Sequence, residues 1–119
     1  MFFMAQIVTG LILLLHVYIV LLETLWFNTR GRRVFGLTAD KAEIVRPAMS
    51  NQGCYNGFPV AALAIGLAHS DPAIGHAFTL YGLLCITVAG MWGAATVKKS
   101  ILYIQTLPAL LALGLYHYA

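Results

Sequence analysis

The sequence predicts an all-α protein, a four-span transmembrane bundle of up-down-up-down topology with both termini outside the cytoplasm (N-out/C-out). Three observations predict it. The 119 residues are 61% hydrophobic and 9% charged, against roughly 45–50% and about 25% in ordinary soluble domains. The apolar residues fall into four runs, each close to the ~20 residues that cross a bilayer as a helix. All seven Lys and Arg residues lie in two connections, which four antiparallel spans place on one side of the membrane. Mean hydropathy is +0.83. A small soluble domain needs polar residues to cover its large surface, and eleven charged side chains cannot do so. A soluble monomer, a disordered chain and a disulfide framework are therefore excluded, leaving a single integral membrane domain over residues 1–119.

The first span covers residues 2–27, broken only by Gln6, Thr9, His16, Glu23 and Thr24. It lacks the basic start and small-residue cleavage site of a signal peptide and is too long for one. The second covers about 50–68, the third about 73–97 and the fourth about 100–118. The connections His69–Pro72 and Lys98–Ser100 are short, which forces antiparallel neighbours. The polar segment 28–49 carries Arg30, Arg32, Arg33, Lys41 and Arg46, and the last connection carries Lys98 and Lys99. Arginine and lysine mark cytoplasmic connections, so this side faces the cytoplasm, in a cell inner (plasma) membrane crossed several times. The net charge of +3 is accounted for by these clusters, which read as topology signals and contacts to anionic lipid in the bilayer rather than nucleic-acid binding. Within 28–49, the stretch Asn28–Arg33 reads as a loop and Gly36 as a second break. A helix start is expected near 38–40, capped by Asp40 with Glu43 or by Thr38, running toward span two with a kink or a break at Pro47 and a kink at Pro59.

Polar groups in lipid have no water to satisfy them and must face protein or a guest. Thr9, His16 and Glu23 recur every seven residues and form one stripe on span one. Span two opens with Asn51-Gln-Gly-Cys-Tyr-Asn56-Gly-Phe-Pro59, the densest polar cluster in any span. Gln52 and Asn56 share a face, and Asn51 and Tyr55 the adjacent one. Amides both donate and accept, which suits interhelical bonds or a polar head group. Gly75, Gly82, Ala89, Gly93 and Thr96 lie near one face of span three, a small-residue surface for close packing. Gln105 and Pro108 interrupt span four. His69, Asp71, His76 and His117 collect on the outer side. Their spacing matches no metal motif, and they read as interfacial polar residues; no metal site is expected. Cys54 and Cys85 lie in apolar segments and form no disulfide framework. No phosphate-loop, metalloprotease or nucleophile-elbow motif occurs.

The runs Glu23-Thr-Leu-Trp26, Arg33-Val-Phe-Gly-Leu37, Asn51-Gln-Gly-Cys-Tyr-Asn56 and Gly93-Ala-Ala-Thr96 resemble a family of small bacterial membrane proteins, domain of unknown function 1304, across essentially the whole chain. Asn51-Gln-Gly-Cys54-Tyr-Asn-Gly-Phe58-Pro59 is more distantly similar to the MAPEG superfamily (membrane-associated proteins in eicosanoid and glutathione metabolism), whose leukotriene-pathway members carry Asn-Gln-x-Cys-x-x-x-aromatic-Pro at that place. Asn56 stands where those relatives place an acid, and Met49 where they place an arginine. The second resemblance implies a homotrimer with a polar site between protomers toward the cytosol, at Glu23, Asn51, Gln52, Tyr55 and Asn56, and glutathione as a possible cofactor.

Together the residues point to a polar pocket near the cytoplasmic leaflet. Glu23 is its charged anchor or proton acceptor, the Asn51–Asn56 cluster orients a head group, and Arg46 with Arg30 or Arg33 closes it. Three functions fit such a pocket: binding of an amphipathic small molecule or lipid, a thiol- or glutathione-dependent enzyme of the MAPEG type, and a small oligomeric transporter coupled through Glu23.

Overall fold

The computed structural model describes all 119 residues and contains helices and turns only. Helix α1 spans Phe2–Glu23. Its 22 residues extend about 33 Å at 1.5 Å per residue. Its buried residues Ala5, Thr9, Ile12, His16, Leu22 and Glu23 follow helical spacing along one face. Ile7, Leu11 and Leu14 are exposed on the other. The helix stops at Thr24, whose backbone (φ −121°, ψ −94°) is not helical.

The expected loop at 28–33 is instead helical. A π-helical turn covers Phe27–Gly31 and a single α-turn, α2, covers Arg32–Val34. Gly31 makes this possible, because a Cβ there would run into the Leu22 carbonyl oxygen. Gly36, at φ +67°, ends α2. Its N–H donates to Arg33 O at 3.1 Å and the Leu37 N–H donates to Arg32 O at 2.9 Å. This is the paired closure of a Schellman motif, which needs a left-handed residue where Gly36 stands.

Helix α3 spans Ala39–Ala68. Of the two candidate caps Thr38 is the one used: its side chain accepts from the Lys41 N–H at 3.3 Å. The helix runs unbroken through Pro47 and Pro59 into the stretch expected as span two. Asp71 caps α4, Pro72–Thr96, accepting from Ala73 N–H at 2.9 Å and Ile74 N–H at 3.4 Å, with Pro72 at the first helical turn. After the Lys98–Lys99 turn the chain is helical from Ser100 to His117. A π-helical turn, Leu102–Thr106, leads into α5, Leu107–His117. Pro108 has no N–H for the carbonyl one turn earlier, and the wide turn lies immediately before it.

Around the bundle α1 packs on α3, α3 on α4, α4 on α5 with its leading π-turn, and α5 back on α1. Ala5, Ile12, Leu63, Leu83, Ile86, Ala109, Ala112 and Tyr116 form the core. Close crossings are made by glycines facing threonines. A Cβ at Gly66 would sit 2.7 Å from the Thr79 backbone nitrogen, and one at Gly90 would sit 2.9 Å from that of Thr106. The Thr106 hydroxyl donates across to Thr87 O at 3.1 Å. The small-residue face of α4 therefore runs through Gly75, Thr79, Gly82 and Gly90, all buried, while Ala89 and Thr96 lie exposed outside it.

Only 23 of 119 residues are buried. Two helices, Phe2–Glu23 and Pro72–Thr96, are long and apolar enough to cross a membrane, and their most apolar windows are only 28% and 39% buried. The core helix of a soluble protein would hide such windows; these face outward.

The Gly66 crossing is testable. Gly66→Ala should lower Tm in detergent through overpacking of about 1–3 kcal/mol. Gly10→Ala, where a Cβ meets nothing within 4 Å, should leave Tm unchanged or raise it by up to about 1 kcal/mol in helix propensity. Equal effects at the two positions would contradict the packing described.

Candidate functional site

The stripe on α1 is buried along its whole length: Thr9, His16 and Glu23 are 0%, 3% and 2% exposed. Thr9 donates to Ala5 O at 2.7 Å, and the Tyr116 hydroxyl lies 3.4 Å from Thr9 Oγ1. His16 Nδ1 lies 2.9 Å from Ile12 O. A carbonyl only accepts, so Nδ1 carries the proton and, in the neutral ring, Nε2 holds a lone pair. His16 Nε2 is buried with no partner in the protein.

Glu23 is answered from α3. Asn56 Nδ2 donates to Glu23 Oε1 at 2.7 Å. The approach depends on Gly53, one turn earlier on α3, where an added Cβ would lie 2.5 Å from Thr24 Cγ2 and 3.1 Å from Glu23 Cβ. Thr24 folds its hydroxyl onto Val20 O at 2.6 Å, leaving its methyl toward Gly53. A buried carboxylate, an amide donor and a glycine that admits both thus form one contact between two helices.

Gln52, though exposed, also turns its amide to the Glu23 carboxyl; the other residues expected at the pocket are placed differently. Asn51, Cys54, Tyr55 and Phe58 are exposed on α3, and Tyr55 packs edge-on against Phe58 at 5.9 Å. Arg46 is paired with Glu43 at 3.7 Å on the surface, an interaction worth about 0–1 kcal/mol. Arg30 Nε donates to the Tyr18 hydroxyl and its guanidinium lies 5.5 Å from the Tyr18 ring centre. Tyr18 in turn packs edge-on against Trp26 at 6.3 Å. Arg33 lines a hollow of about 360 Å³ together with Asn28, Thr29 and Arg32. The Glu43–Arg46 contact is the one ion pair in the protein, so no arginine reaches Glu23. The thiol-activating anion pocket of the enzyme reading thus draws no support from this geometry.

Two features escaped the sequence. Tyr18 holds Arg30, and the only signal was an aromatic residue near the end of a span next to a basic segment. The second is a cleft of about 440 Å³ at the other end of the bundle, where His69 and His76 meet Gln6, Ser70, Thr79 and Tyr116. Its residues come from four separate parts of the chain, and nothing in their spacing links them.

Residues 10–117 match the model of the family described as Protein of unknown function (DUF1304). The chain belongs to that family. Comparison with curated proteins and with solved structures returned no match. Membership confirms the first resemblance given by the sequence motifs. Both partners of the Glu23–Asn56 contact lie inside the matched region.

Asn56→Ala should lower Tm, because stranding a buried carboxylate costs about 1–3 kcal/mol, and a double-mutant cycle with Glu23→Ala should return a coupling of similar size. His16→Leu should leave Tm unchanged or raise it, since the orphaned nitrogen disappears and the volume is kept. A fall after His16→Leu as large as that after Asn56→Ala would show that His16 is held by more than Ile12.

Proposed function

We propose that this is a multi-pass protein of the inner (plasma) membrane that assembles as a homotrimer and binds the polar head of an amphipathic small molecule or lipid near the cytoplasmic leaflet. In this reading the four spans are Phe2–Glu23, the part of α3 from about residue 50, Pro72–Thr96 and the helical run from Ser100, in up-down-up-down order with both termini outside. The outward apolar surfaces of α1 and α4 and the grouping of all seven basic residues support it.

One observation carries the binding reading. At the level where Glu23 is buried against Asn56, the neighbouring polar side chains Asn51, Gln52 and Tyr55 stay exposed on α3. Exposed amides in a bilayer are costly unless something answers them. Within one chain Asn56 and Gln52 already serve Glu23, so Asn51 and Tyr55 are left for a second copy and for a head group held between copies. The arginine-lined hollow at Asn28, Thr29, Arg32 and Arg33 supplies positive charge at the same end, suiting a head group that carries phosphate or carboxylate.

A second reading, a small oligomeric transporter with Glu23 as coupling residue, is favoured by the buried Thr9–His16–Glu23 stripe and by the free lone pair of His16. Proton flux in proteoliposomes that is unchanged by Glu23→Gln would remove it.

Native mass spectrometry from a mild detergent tests the main reading. The expected result is a trimer retaining a small amphiphile, with both trimer and adduct depleted in the Asn51→Ala/Gln52→Ala double variant. A monomer without adducts would overturn it.

A further inference from the structure

The cleft at the outer end of the bundle has the makings of a second binding site, independent of Glu23. Its volume of about 440 Å³ falls within the roughly 300–1,000 Å³ usual for small-molecule sites. It opens between the start of α1, the α3–α4 turn and the end of α5. Among its eleven lining residues there is no Lys, Arg, Asp or Glu.

Thr79 is the informative residue. It is only 3% exposed and lines the cleft. Buried threonines in helices commonly fold their hydroxyl back one turn, as Thr87 does onto Leu83 O at 2.8 Å and Thr96, though exposed, onto Trp92 O at 2.7 Å. Thr79 makes no such bond; its hydroxyl oxygen lies against Gly66, where both residues border the cleft, and keeps its hydrogen-bonding capacity for an occupant. Gln6, Ser70 and His76 likewise spend no side-chain hydrogen bond within the protein. His69 accepts the Asp71 N–H on Nδ1 at 3.0 Å, so its neutral ring carries the proton on Nε2 and presents a donor. Flat walls complete the site. Tyr116 packs edge-on against both Phe2 (5.9 Å, 72°) and His76 (5.7 Å, 77°).

The geometry points to an uncharged, oxygen-bearing ring as the occupant, the head of an amphipathic molecule whose tail lies along the apolar flank of the bundle. Hydroxyl and imidazole donors without a cation suit carbonyl and hydroxyl oxygens. A phosphate would find no counter-charge here, unlike at the arginine-rich end. Aromatic walls favour a ring over a flexible chain. A quinone and a sugar-headed lipid share this chemistry and are distinguished by the test.

The protein in phosphatidylcholine nanodiscs is titrated with a decyl-tailed benzoquinone, with octyl glucoside below its micelle concentration, and with octyl phosphate. Imidazole nitrogen shifts of His69 and His76 and the Tm are followed. Saturable shifts and a raised Tm with one neutral probe identify the source, quinone or sugar. Thr79→Val should weaken that binding about tenfold, the loss of one hydrogen bond. Gln6→Leu, remote from the α3–α4 crossing, gives a second reading should Thr79→Val fail to fold. No saturable binding of either neutral probe, octyl phosphate binding as tightly as they do, or undiminished binding in a folded variant would each overturn the proposal.

Discussion

One carboxylate, buried in a chain with almost no charge to spare, constrains how the half of this bundle nearest the arginines is built. Glu23 sits at the end of α1 with 2% of its surface exposed and takes its hydrogen bond from Asn56 on α3. An unanswered polar group in such surroundings costs more than a hydrogen bond returns elsewhere, so the two helices must cross where donor and acceptor meet. Gly53 admits Thr24 and Glu23 at that crossing. The chain leaves α1 immediately afterwards, in the tight π-turn that Gly31 permits against Leu22. The same logic of small residues facing hydroxyls recurs at Gly66 with Thr79 and at Gly90 with Thr106.

The two ends of the molecule differ in chemistry. One carries the basic residues: Arg30 is laid on Tyr18, Arg46 is paired with Glu43, and Arg32 and Arg33 border an open hollow. The other carries histidines, hydroxyls and an amide around an uncharged cleft. In a membrane, the first end attracts anionic head groups, whereas the second has no charge with which to do so. The interior between them is filled by aliphatic side chains, Tyr116 and the α1 stripe, and His16 is the point where that filling leaves a polar atom unsatisfied.

The helical class and the extent of α4 were legible because long apolar runs bounded by Asp71-Pro72 or by basic turns leave little choice, whereas span one, expected to run to residue 27, stops at Glu23. The buried stripe Thr9–His16–Glu23 was legible from its period alone, and the sequence placed Glu23 and Asn56 at one site, but it assigned the amide to a head group and not to the carboxyl it serves. The helical character of residues 27–34 was not legible. Three arginines around one glycine resemble a loop, and only the three-dimensional contact of Gly31 with a carbonyl nine residues earlier explains the turn. The α4 face was half legible: Gly75 and Gly82 were placed correctly, but Gly90 rather than Ala89 is the residue buried, since the π-turn before α5 determines which side of α4 is covered. The expected arginine lid over Glu23 fails on competition, because Tyr18 holds Arg30, and Glu43, one turn away on the same helix, holds Arg46.

The outward amide face of α3 is where the account meets its most direct test. A photo-reactive benzoyl-phenylalanine in place of Gln52, activated in intact membranes, reports what lies against that face. The proposed assembly, in which a second copy lies against this face, predicts covalent adducts at twice the subunit mass. Adducts to acyl chains alone, with the subunit remaining single, would contradict it.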